Sequence, residues 1–530
     1  MTSRASALPL AAMIAVVVAG HLSLFPNVAD LDGFYHIGHA AAYLQGSLFD
    51  TGLPWASRSI IGDRGGDLWW GFHVLLLPFA ALGSVSAGLR LAALALTSGL
   101  TFVVYRVLIR HGVAGAGWWA ALFMVAVPNV FFRYLMVRPH VVSLAASILL
   151  LSVLVRGRWW HVVLLGALMS WVHLSLFWMA PCLVVAYAIV RIPVTVALGR
   201  DRPDAGVPIR QAIPAVIAGT IAGWLLRPDA WDTATLLNIQ LVQLFALKAT
   251  DQPLTFAAEL SPIAPLELLR TTWLFSVAWV VAVGLTARHA YRGRLDELGQ
   301  GRATFLLTSM IVSGVFLILA LFSARRAMEQ WVAFGFLTFP LLATITPTES
   351  LRRPVRFSVG VLLTAHLAWG AWRHDLNTSL VASPADTMRD VAGFLEANSE
   401  PGEVVFHTKW DNFGPLFAFN RSNHYLGGMD PIFQYAHDDR AFWEFFYLSS
   451  DATSEWTCDA WPCIEGNATD TWIVLRDHFR TRWVVVEPRR NPRFTLFLLN
   501  DPRFRLALET RREALFELIP QPAAPAGPGS

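Results

Sequence analysis

Charged side chains are scarce in this chain. Of its 530 residues, 15% are Asp, Glu, Lys or Arg and 55% are hydrophobic, which gives a mean hydropathy of +0.47. Apolar stretches without charge recur at near-regular intervals, a pattern typical of an integral membrane protein. The formal net charge is only +3, which indicates no nucleic-acid partner. The apolar composition points to membrane lipids as neighbours instead.

Cysteine is scarcer still. The chain has three cysteines, and their spacing matches no zinc site. Cys182 lies in an apolar run, whereas Cys458 and Cys463 belong to the sequence "CDAWPC" in a polar tail. We expect these two residues to form a disulfide if that tail faces an oxidising compartment.

Eleven apolar segments are predicted to cross the membrane. If the amino terminus is cytoplasmic, arginines lie in every cytoplasmic turn, as the positive-inside rule requires. The apolar segment 67–83 would break this pattern if it crossed, so we predict a juxtamembrane or re-entrant helix there. The predicted spans are 8–25, 87–109, 115–130, 139–155, 159–174, 176–191, 211–226, 268–287, 304–322, 331–347 and 355–372.

The predicted fold class is therefore mainly α, a polytopic helical bundle of about eleven transmembrane helices over residues 1–372, with a large first outer loop at 26–86. After Trp372 the sequence reads as an amphipathic helix, a Pro-Gly turn and short apolar strands. This pattern predicts an extracytoplasmic α/β domain over 373–530, with a disordered end from about residue 520. Short loops and a single polar tail favour a bacterial inner membrane.

Titratable side chains are concentrated in the first outer loop. A carboxylate at this place could act as a general base or share a divalent cation. The alternative is that the acids cap helices, with Asp32 at the start of "GFYHIGHAAAYL" and Asp67 at the start of the next helix. The candidate residues are Asp30, Asp32, His36, Asp63, Asp67 and His73.

Four arginines lie on the predicted outer side, against the positive-inside rule. Arg133 and Arg138 share one turn, and Arg325 and Arg326 share another. Cations kept at an outer membrane surface usually bind an anion. The alternative for Arg325 and Arg326 is an ion pair with Glu329, one turn further on, or contact with lipid headgroups.

Two motifs resemble the GT-C superfamily of polyprenyl-phosphate-dependent glycosyltransferases, and most closely the catalytic subunits of oligosaccharyltransferases. The sequence "DLDGFYH", residues 30–36, is similar to the acidic motif of their first outer loop. The sequence "TKWDNFG", residues 408–414, is similar to the Trp-Trp-Asp-Tyr-Gly motif that opens their soluble domain, with Trp410 and Asp411 aligned. Both motifs lie in the order that this family shows.

The resemblance implies transfer of a sugar from a polyprenyl phosphate or diphosphate to a glycan, lipid or protein acceptor. Asp30 is the implied general base, and Asp32 orients the acceptor or exchanges roles with it. Arg138, Arg325 and Arg326 suit the leaving phosphate, because guanidinium pairs bidentately with phosphate oxygens. Supporting or acceptor-binding roles fall to His36, Asp63, Asp67, His73, Trp410 and Asp411.

The resemblance to oligosaccharyltransferases departs at the second outer loop, where Arg138 and His140 replace an expected acid. A metal ion beside Arg138 is electrostatically unfavourable, and the resemblance extends to GT-C enzymes that work without metal. If a divalent cation such as Mg2+ or Mn2+ takes part, Asp30 and Asp32 are its implied ligands.

Two other function classes remain open. A transporter or flippase of polyprenyl-linked lipids would also need outward arginines, although such proteins more naturally carry charge within their spans and show paired halves. The other hypothesis is a non-catalytic GT-C relative, because the second acidic motif is missing.

Overall fold

The computed structural model describes residues 3–198, 206–250, 258–346 and 353–519. The disordered end predicted from residue 520 lies outside these described residues. The described chain is mainly helical. Its helices are α1 Ser3–Leu24, α2 Asp32–Gln45, α3 Ile60–Arg64, α4 Trp70–Ala80, α5 Val85–Arg110, α6 Ala116–Val125, α7 Pro128–Tyr134, α8 Pro139–Arg156, α9 Trp159–Val172, α10 Met179–Leu198, α11 Ile209–Leu225, α12 Ala230–Asn238, α13 Leu244–Lys248, α14 Pro265–Tyr291, α15 Gly299–Phe322, α16 Met328–Phe336, α17 Thr338–Ile345, α18 Arg353–Val381, α19 Arg389–Asn398, α20 Phe413–Phe419, α21 Pro431–His437, α22 Asp439–Ser449, α23 Thr471–Ile473 and α24 Pro492–Asn500.

Within the described residues, seven stretches are helical, long and apolar enough to cross a membrane. Two bent helix pairs raise the number to nine if each is one span: α6 with α7, bent by 100°, and α11 with the helical segment Ala230–Lys248, bent by 107°. The chain is therefore an integral membrane protein, but the eleven predicted spans are not confirmed. The seven stretches are Ala7–Leu24, Val85–Arg110, Pro139–Arg156, Leu174–Ala197, Pro265–Tyr291, Arg294–Phe322 and Arg325–Ile345.

The difference in number has local causes. α4 has 11 residues and α9 has 14, whereas a straight span needs about 20. For α4 this length agrees with the predicted juxtamembrane helix. Pro128, the first residue of α7, has no N–H with which to continue α6. α18 is 29 residues long but is not among the seven, and it runs past the domain boundary predicted at residue 372.

Two of the helices, α9 and α11, pack at backbone distance. Gly219 and Gly223 lie one turn apart on α11. A Cβ atom on Gly219 would lie 2.3 Å from the carbonyl oxygen of Val163, and one on Gly223 would lie 2.1 Å from that of Ala167. Membrane helices often approach through small residues spaced four apart, and here any side chain beyond hydrogen would overlap α9.

Gly223→Ala is expected to lower the free energy of unfolding by ~1–3 kcal/mol, because the added methyl group forces α9 and α11 apart. Thermal unfolding of the purified protein in detergent measures the loss. Gly284→Ala, in α14, is the matched control, since a Cβ atom there has no neighbour within 4 Å. Equal losses in the two variants would contradict the close-packing argument.

The C-terminal domain contains a five-stranded mixed sheet in the order β4-β3-β7-β9-β8. β3 is parallel to β4 and β7, and β9 is antiparallel to β7 and β8. The helices and strands predicted after Trp372 are thus present, and Cys458 and Cys463 are joined by a disulfide. The strands are β1 Asn27–Val28, β2 Ser383–Pro384, β3 Val404–His407, β4 His424–Tyr425, β5 Trp456–Cys458, β6 Ala468–Asp470, β7 Thr481–Val486, β8 Phe504–Glu509 and β9 Ala514–Leu518.

The first outer loop and the C-terminal domain pack against each other. β1, in the loop, pairs with β2, which follows α18. The main-chain N–H of Ser57 donates to the carbonyl oxygen of Tyr425 at the edge of the sheet (2.8 Å). A Cβ atom on Gly414 would lie 2.9 Å from the carbonyl oxygen of Leu31. The two motifs that carry the family resemblance are therefore in direct contact.

Candidate functional site

A cavity of about 350 Å³ lies where the first outer loop, the apolar helices and the C-terminal domain meet. Leu176, Phe316 and Leu319, which belong to candidate membrane spans, contribute to its apolar wall. Charged side chains also line the cavity, and its volume is typical of a small-molecule site. The charged and imidazole side chains that line the cavity are Asp32, His36, Arg133, Arg138, His140, His173, Glu259, Arg326, Glu329 and Asp430.

α2 brings Asp32 and His36 to this cavity. The helix begins at Asp32, and residues four apart share one face of a helix. Asp30 lines a smaller cavity toward α1 and α5 instead, and its Oδ1 accepts a hydrogen bond from the N–H of Gly33 (3.3 Å). Asp30 therefore binds a free main-chain N–H in the first turn of α2. The alternative that Asp32 caps this helix is wrong. The carboxylate at the large cavity is Asp32, not the implied base Asp30.

The environment of Asp32 favours the protonated, neutral form of its carboxyl group. Burial raises the pKa of Asp32 to about 7, against the opposing effect of Arg138. A carboxylate with a pKa near the working pH is well suited to take up and release a proton. Asp32 therefore has the properties of a general base in this cavity.

Arg138 binds both acids of the first loop. Its Nε donates to Asp30, its Nη2 lies 2.9 Å from Oδ2 of Asp32, and its Nη1 lies 3.0 Å from Oε1 of Glu259. The guanidinium thus occupies the position that a cation shared by Asp30 and Asp32 would need. A divalent ion beside this fixed positive charge is unfavourable, so the implied ligand pair does not fit Mg2+ or Mn2+.

Arg133 and Glu329 also belong to the charged lining of the cavity. Arg133 donates through Nη1 to Oε2 of Glu259 (2.6 Å) and through Nε to Glu329. His140 Nε2 lies 3.4 Å from Oε2 of Glu329. Burial raises the pKa of Glu259, but Arg133 and Arg138 outweigh burial and hold that pKa well below its ordinary value. The charges of Arg133 and Arg138 are therefore balanced by carboxylates of the protein itself.

Arg326 is the least engaged of the arginines that line the cavity. Among the described residues, one carboxylate comes within 4.0 Å of its guanidinium, that of Glu259 at 4.0 Å. Arg325 does not line the cavity and donates to Glu267 (3.0 Å) instead. Of the three implied phosphate ligands, Arg138 and Arg326 reach the cavity. The alternative pairing of Arg325 or Arg326 with Glu329 is wrong in the described structure, because Glu329 pairs with Arg133.

A hydrogen-bonded chain of buried side chains lies behind His36. Nδ1 of His73 lies 2.6 Å from Oδ2 of Asp67, and Nε2 of His73 lies 2.8 Å from Nδ1 of His36. Oδ1 of Asp67 accepts from the main-chain N–H of Trp69 (2.8 Å), and Oδ2 also accepts from the hydroxyl of Tyr43 (2.9 Å). Asp67 and His73 do not line the cavity, so they act on it through His36.

His39, Asp67 and His73 also lie close enough to hold a metal ion, since one ligand atom from each falls within 4.8 Å of the others. The rings of His39 and His73 nevertheless lie close together and tilted, with centroids 4.4 Å apart and an angle of 36° between their planes. Nitrogen lone pairs lie in the ring plane, and two rings that face each other at this distance do not direct them well at one point. Both nitrogens of His73 already have partners, so the hydrogen-bonded chain describes this group better.

Asp63, Trp410 and Asp411 do not line the cavity, so their implied supporting roles find no support in its geometry. Asp63 lies at the surface, with Oδ2 2.7 Å from Nδ1 of His437. Asp411 lies 3.8 Å from Arg490 within the C-terminal domain, and Trp410 packs against the core of that domain. The second motif contributes through Gly414 and α20, which pack against α2.

Three residues complete the cavity although no sequence pattern singles them out: Gln240, Glu259 and Asp430. Gln240 donates through Nε2 to Oδ2 of Asp430 (2.9 Å). Asp430 stands in "GGMDP", which reads as a turn, and it reaches the cavity because the tail packs on the first loop. Glu259 is a single acid in the apolar sequence "AAEL", and that isolation is the one signal that could have found it.

No protein-family model matches this chain, and no curated protein matches it at a significant level. A functional assignment therefore depends on the chemistry of the cavity and on the two motifs.

Proposed function

We propose that this protein is a membrane glycosyltransferase of the GT-C type, which transfers a sugar from a polyprenyl phosphate or diphosphate to an acceptor at the outer face of the membrane. One observation carries the proposal: a single cavity combines a partly buried carboxylate, Asp32, with an available arginine, Arg326, beside apolar helices. A polyprenyl tail confines its phosphate to the membrane surface, where such a cavity can receive it.

Asp32 is the proposed general base. It takes the proton of an acceptor hydroxyl while the oxygen of that hydroxyl bonds to the anomeric carbon of the sugar. The bond between that carbon and the phosphate oxygen breaks, and its electron pair leaves with the phosphate. Attack opposite to the leaving group inverts the configuration. Asp32 is a better candidate than Asp30, because Asp30 does not line the large cavity and binds Gly33 and Arg138.

Arg326 is proposed to hold the leaving phosphate. Hydrogen bonds from guanidinium to phosphate oxygens are charge-assisted, and they stabilise the negative charge that develops as the phosphate departs. Arg133 and Arg138 remain with their carboxylates and fix the shape of the site. The acceptor is a glycan, a lipid or a protein with a free hydroxyl group.

We place the site on the extracytoplasmic side of a bacterial inner membrane, with the amino terminus in the cytoplasm. The arginine distribution of the predicted turns supports this orientation. The disulfide between Cys458 and Cys463 supports it as well, because disulfides persist in oxidising compartments.

Sugar transfer by the purified protein in lipid nanodiscs tests the proposal. A panel of radiolabelled polyprenyl-phosphate sugars is incubated with candidate acceptors, and release of the sugar from the lipid is measured. We expect turnover with at least one donor. Donor movement across vesicles without sugar release would favour the flippase, and donor binding without turnover would favour a non-catalytic relative.

Arg326→Gln is expected to raise the KM for the donor by about tenfold to a hundredfold, because one or two charge-assisted hydrogen bonds to phosphate are lost. Arg325→Gln is the matched control with the same change of charge. Its side chain pairs with Glu267 outside the cavity, so its KM should stay near the wild-type value. Equal effects of the two substitutions would show that general surface charge, not a phosphate site, attracts the donor.

A further inference from the structure

The buried chain behind His36 determines which of its ring nitrogens carries a proton. Asp67 receives hydrogen bonds from Trp69, Tyr43 and His73. Burial raises the pKa of Asp67, but His73 and His39 outweigh burial and hold that pKa below its ordinary value. An ionised carboxylate only accepts hydrogen bonds, so the proton between Asp67 and His73 belongs to Nδ1 of His73.

A neutral His73 then has no proton on Nε2, because a neutral imidazole carries one N–H. Arg227 donates to the main-chain oxygen of Asp67 (2.6 Å), and its positive charge balances the carboxylate without a second cation. Nε2 of His73 therefore accepts the hydrogen bond from His36, and Nδ1 of His36 donates it. The proton of His36 is thus on Nδ1, and its Nε2 holds a lone pair.

Burial keeps His36 neutral, although titratable groups surround it and Asp67 opposes this effect. His73, Arg138 and His39 lie close to it, and Asp32 stands one turn before it on α2. Burial lowers the pKa of His36 well below its ordinary value, and the positive charge of Arg138 adds to this effect. A neutral His36 with Nδ1 already bonded has Nε2 as its remaining polar atom at the cavity.

We propose that His36 is a substrate-binding residue whose Nε2 accepts a hydrogen bond from a substrate hydroxyl, and that Asp67 and His73 are positioning residues that fix this tautomer. The inference rests on the proposed glycosyltransferase and adds the group that is recognised. Asp32 and His36 present two hydrogen-bond acceptors one turn apart, so the ligand must donate to both. A hydroxyl-rich molecule such as a sugar or glycan has that property.

Asp67→Asn reverses the direction of the hydrogen bonds that run from residue 67 through His73 to His36, with little change in side-chain shape. The N–H of Trp69 needs an acceptor, so the amide oxygen takes the position of Oδ1 and the amide NH2 faces Nδ1 of His73. His73 must then accept at Nδ1 and donate from Nε2, and His36 must accept at Nδ1 and carry its proton on Nε2. The substitution therefore turns the cavity nitrogen of His36 from an acceptor into a donor.

Diethyl pyrocarbonate detects this change in the His36 tautomer without any substrate, because it acylates only an imidazole nitrogen that carries no proton. Wild type and Asp67→Asn are treated at about pH 8 in nanodiscs, and fragment-ion mass spectrometry separates His36 from His39. We expect labelling of His36 in wild type and labelling slower by about tenfold or more in Asp67→Asn. His478, which is partly exposed, is the internal standard. Tyr43→Phe, which removes the other side-chain donor to Asp67 but keeps the chain, should label as wild type does.

Sugar-transfer kinetics of the same variants complete the test. A lower kcat/KM in Asp67→Asn together with lost labelling supports the proposal. Unchanged labelling, absent labelling in wild type, or labelling that responds to EDTA would overturn it, the last because the group would then be a metal centre. Lost labelling with unchanged kcat/KM would overturn the role in substrate binding. Wild type that labels as expected but transfers no sugar from any donor would overturn the proposed function instead, and the catalytic meaning of His36 with it.

Discussion

Asp32→Asn is expected to lower the turnover number of sugar transfer by ~10²–10⁴-fold, the usual loss when a general base is removed. The amide has the size of the carboxylate but takes up no proton. Asp30→Asn is the matched control, because Asp30 faces the smaller cavity and an amide oxygen can still accept from Gly33. Its loss of turnover is expected to be less than about tenfold.

The pH dependence of the wild-type enzyme provides a second readout of the same residue. Asp32 acts as a base when it is ionised, and its pKa is raised to about 7. The value of kcat/KM should therefore rise about tenfold per pH unit below about pH 7 and level off above it. The residual activity of Asp32→Asn should lack this limb. Donor binding measured separately should be preserved in both variants.

A larger loss in Asp30→Asn than in Asp32→Asn would contradict the assignment. The roles of the two acids would then be those that the family resemblance implies, with Asp30 as the base. In that case the reaction would not take place in the cavity that Asp32 lines.

The helical membrane fold could be predicted from the sequence because hydrophobicity acts locally. A run of apolar residues needs no partner elsewhere in the chain to indicate a span. The number of spans could not be predicted in the same way. Pro128 and the turn after α11 bend two apolar segments by about a right angle, and hydrophobicity alone does not distinguish a bent segment from a straight one.

The candidate site could be predicted only in part, for a related reason. Asp32 and His36 lie on one short helix, so a local motif reveals both. Glu259 and Asp430 reach the same cavity from distant parts of the chain, and their positions depend on how the tail packs against the first loop. No local pattern contains that information.

The sequence also does not show which charges are balanced. Arg325 and Arg326 are neighbours with the same chemistry, and both are implied phosphate ligands. The structure separates them, because Arg325 turns to Glu267 while Arg326 faces the cavity. Charge compensation depends on distances of a few ångströms between residues that are far apart in sequence.

Arg138→Gln is expected to lower the free energy of unfolding by ~3–5 kcal/mol at neutral pH, because it leaves the acids it binds without their common partner. These acids are Asp30, Asp32 and Glu259. Thermal unfolding in detergent at about pH 8 measures the loss. Arg325→Gln is the matched control, since it removes an ion pair that is more exposed to water, and it should cost at most about 1 kcal/mol.

The loss of stability caused by Arg138→Gln should also depend on pH, and the direction of this dependence follows from the pKa of Glu259. In wild type its pKa is held below the ordinary value, so its stabilising contribution is present above the pKa of the unfolded chain and is lost as the pH falls through the folded value. Without Arg138, burial is less opposed, and the pKa values of Asp32 and Glu259 rise. They take up protons as the pH falls, which relieves their repulsion. The difference in stability between variant and wild type should therefore shrink from about pH 8 to about pH 5. A difference that stays constant over this range would show that Arg138 stabilises the protein through packing rather than through its charge.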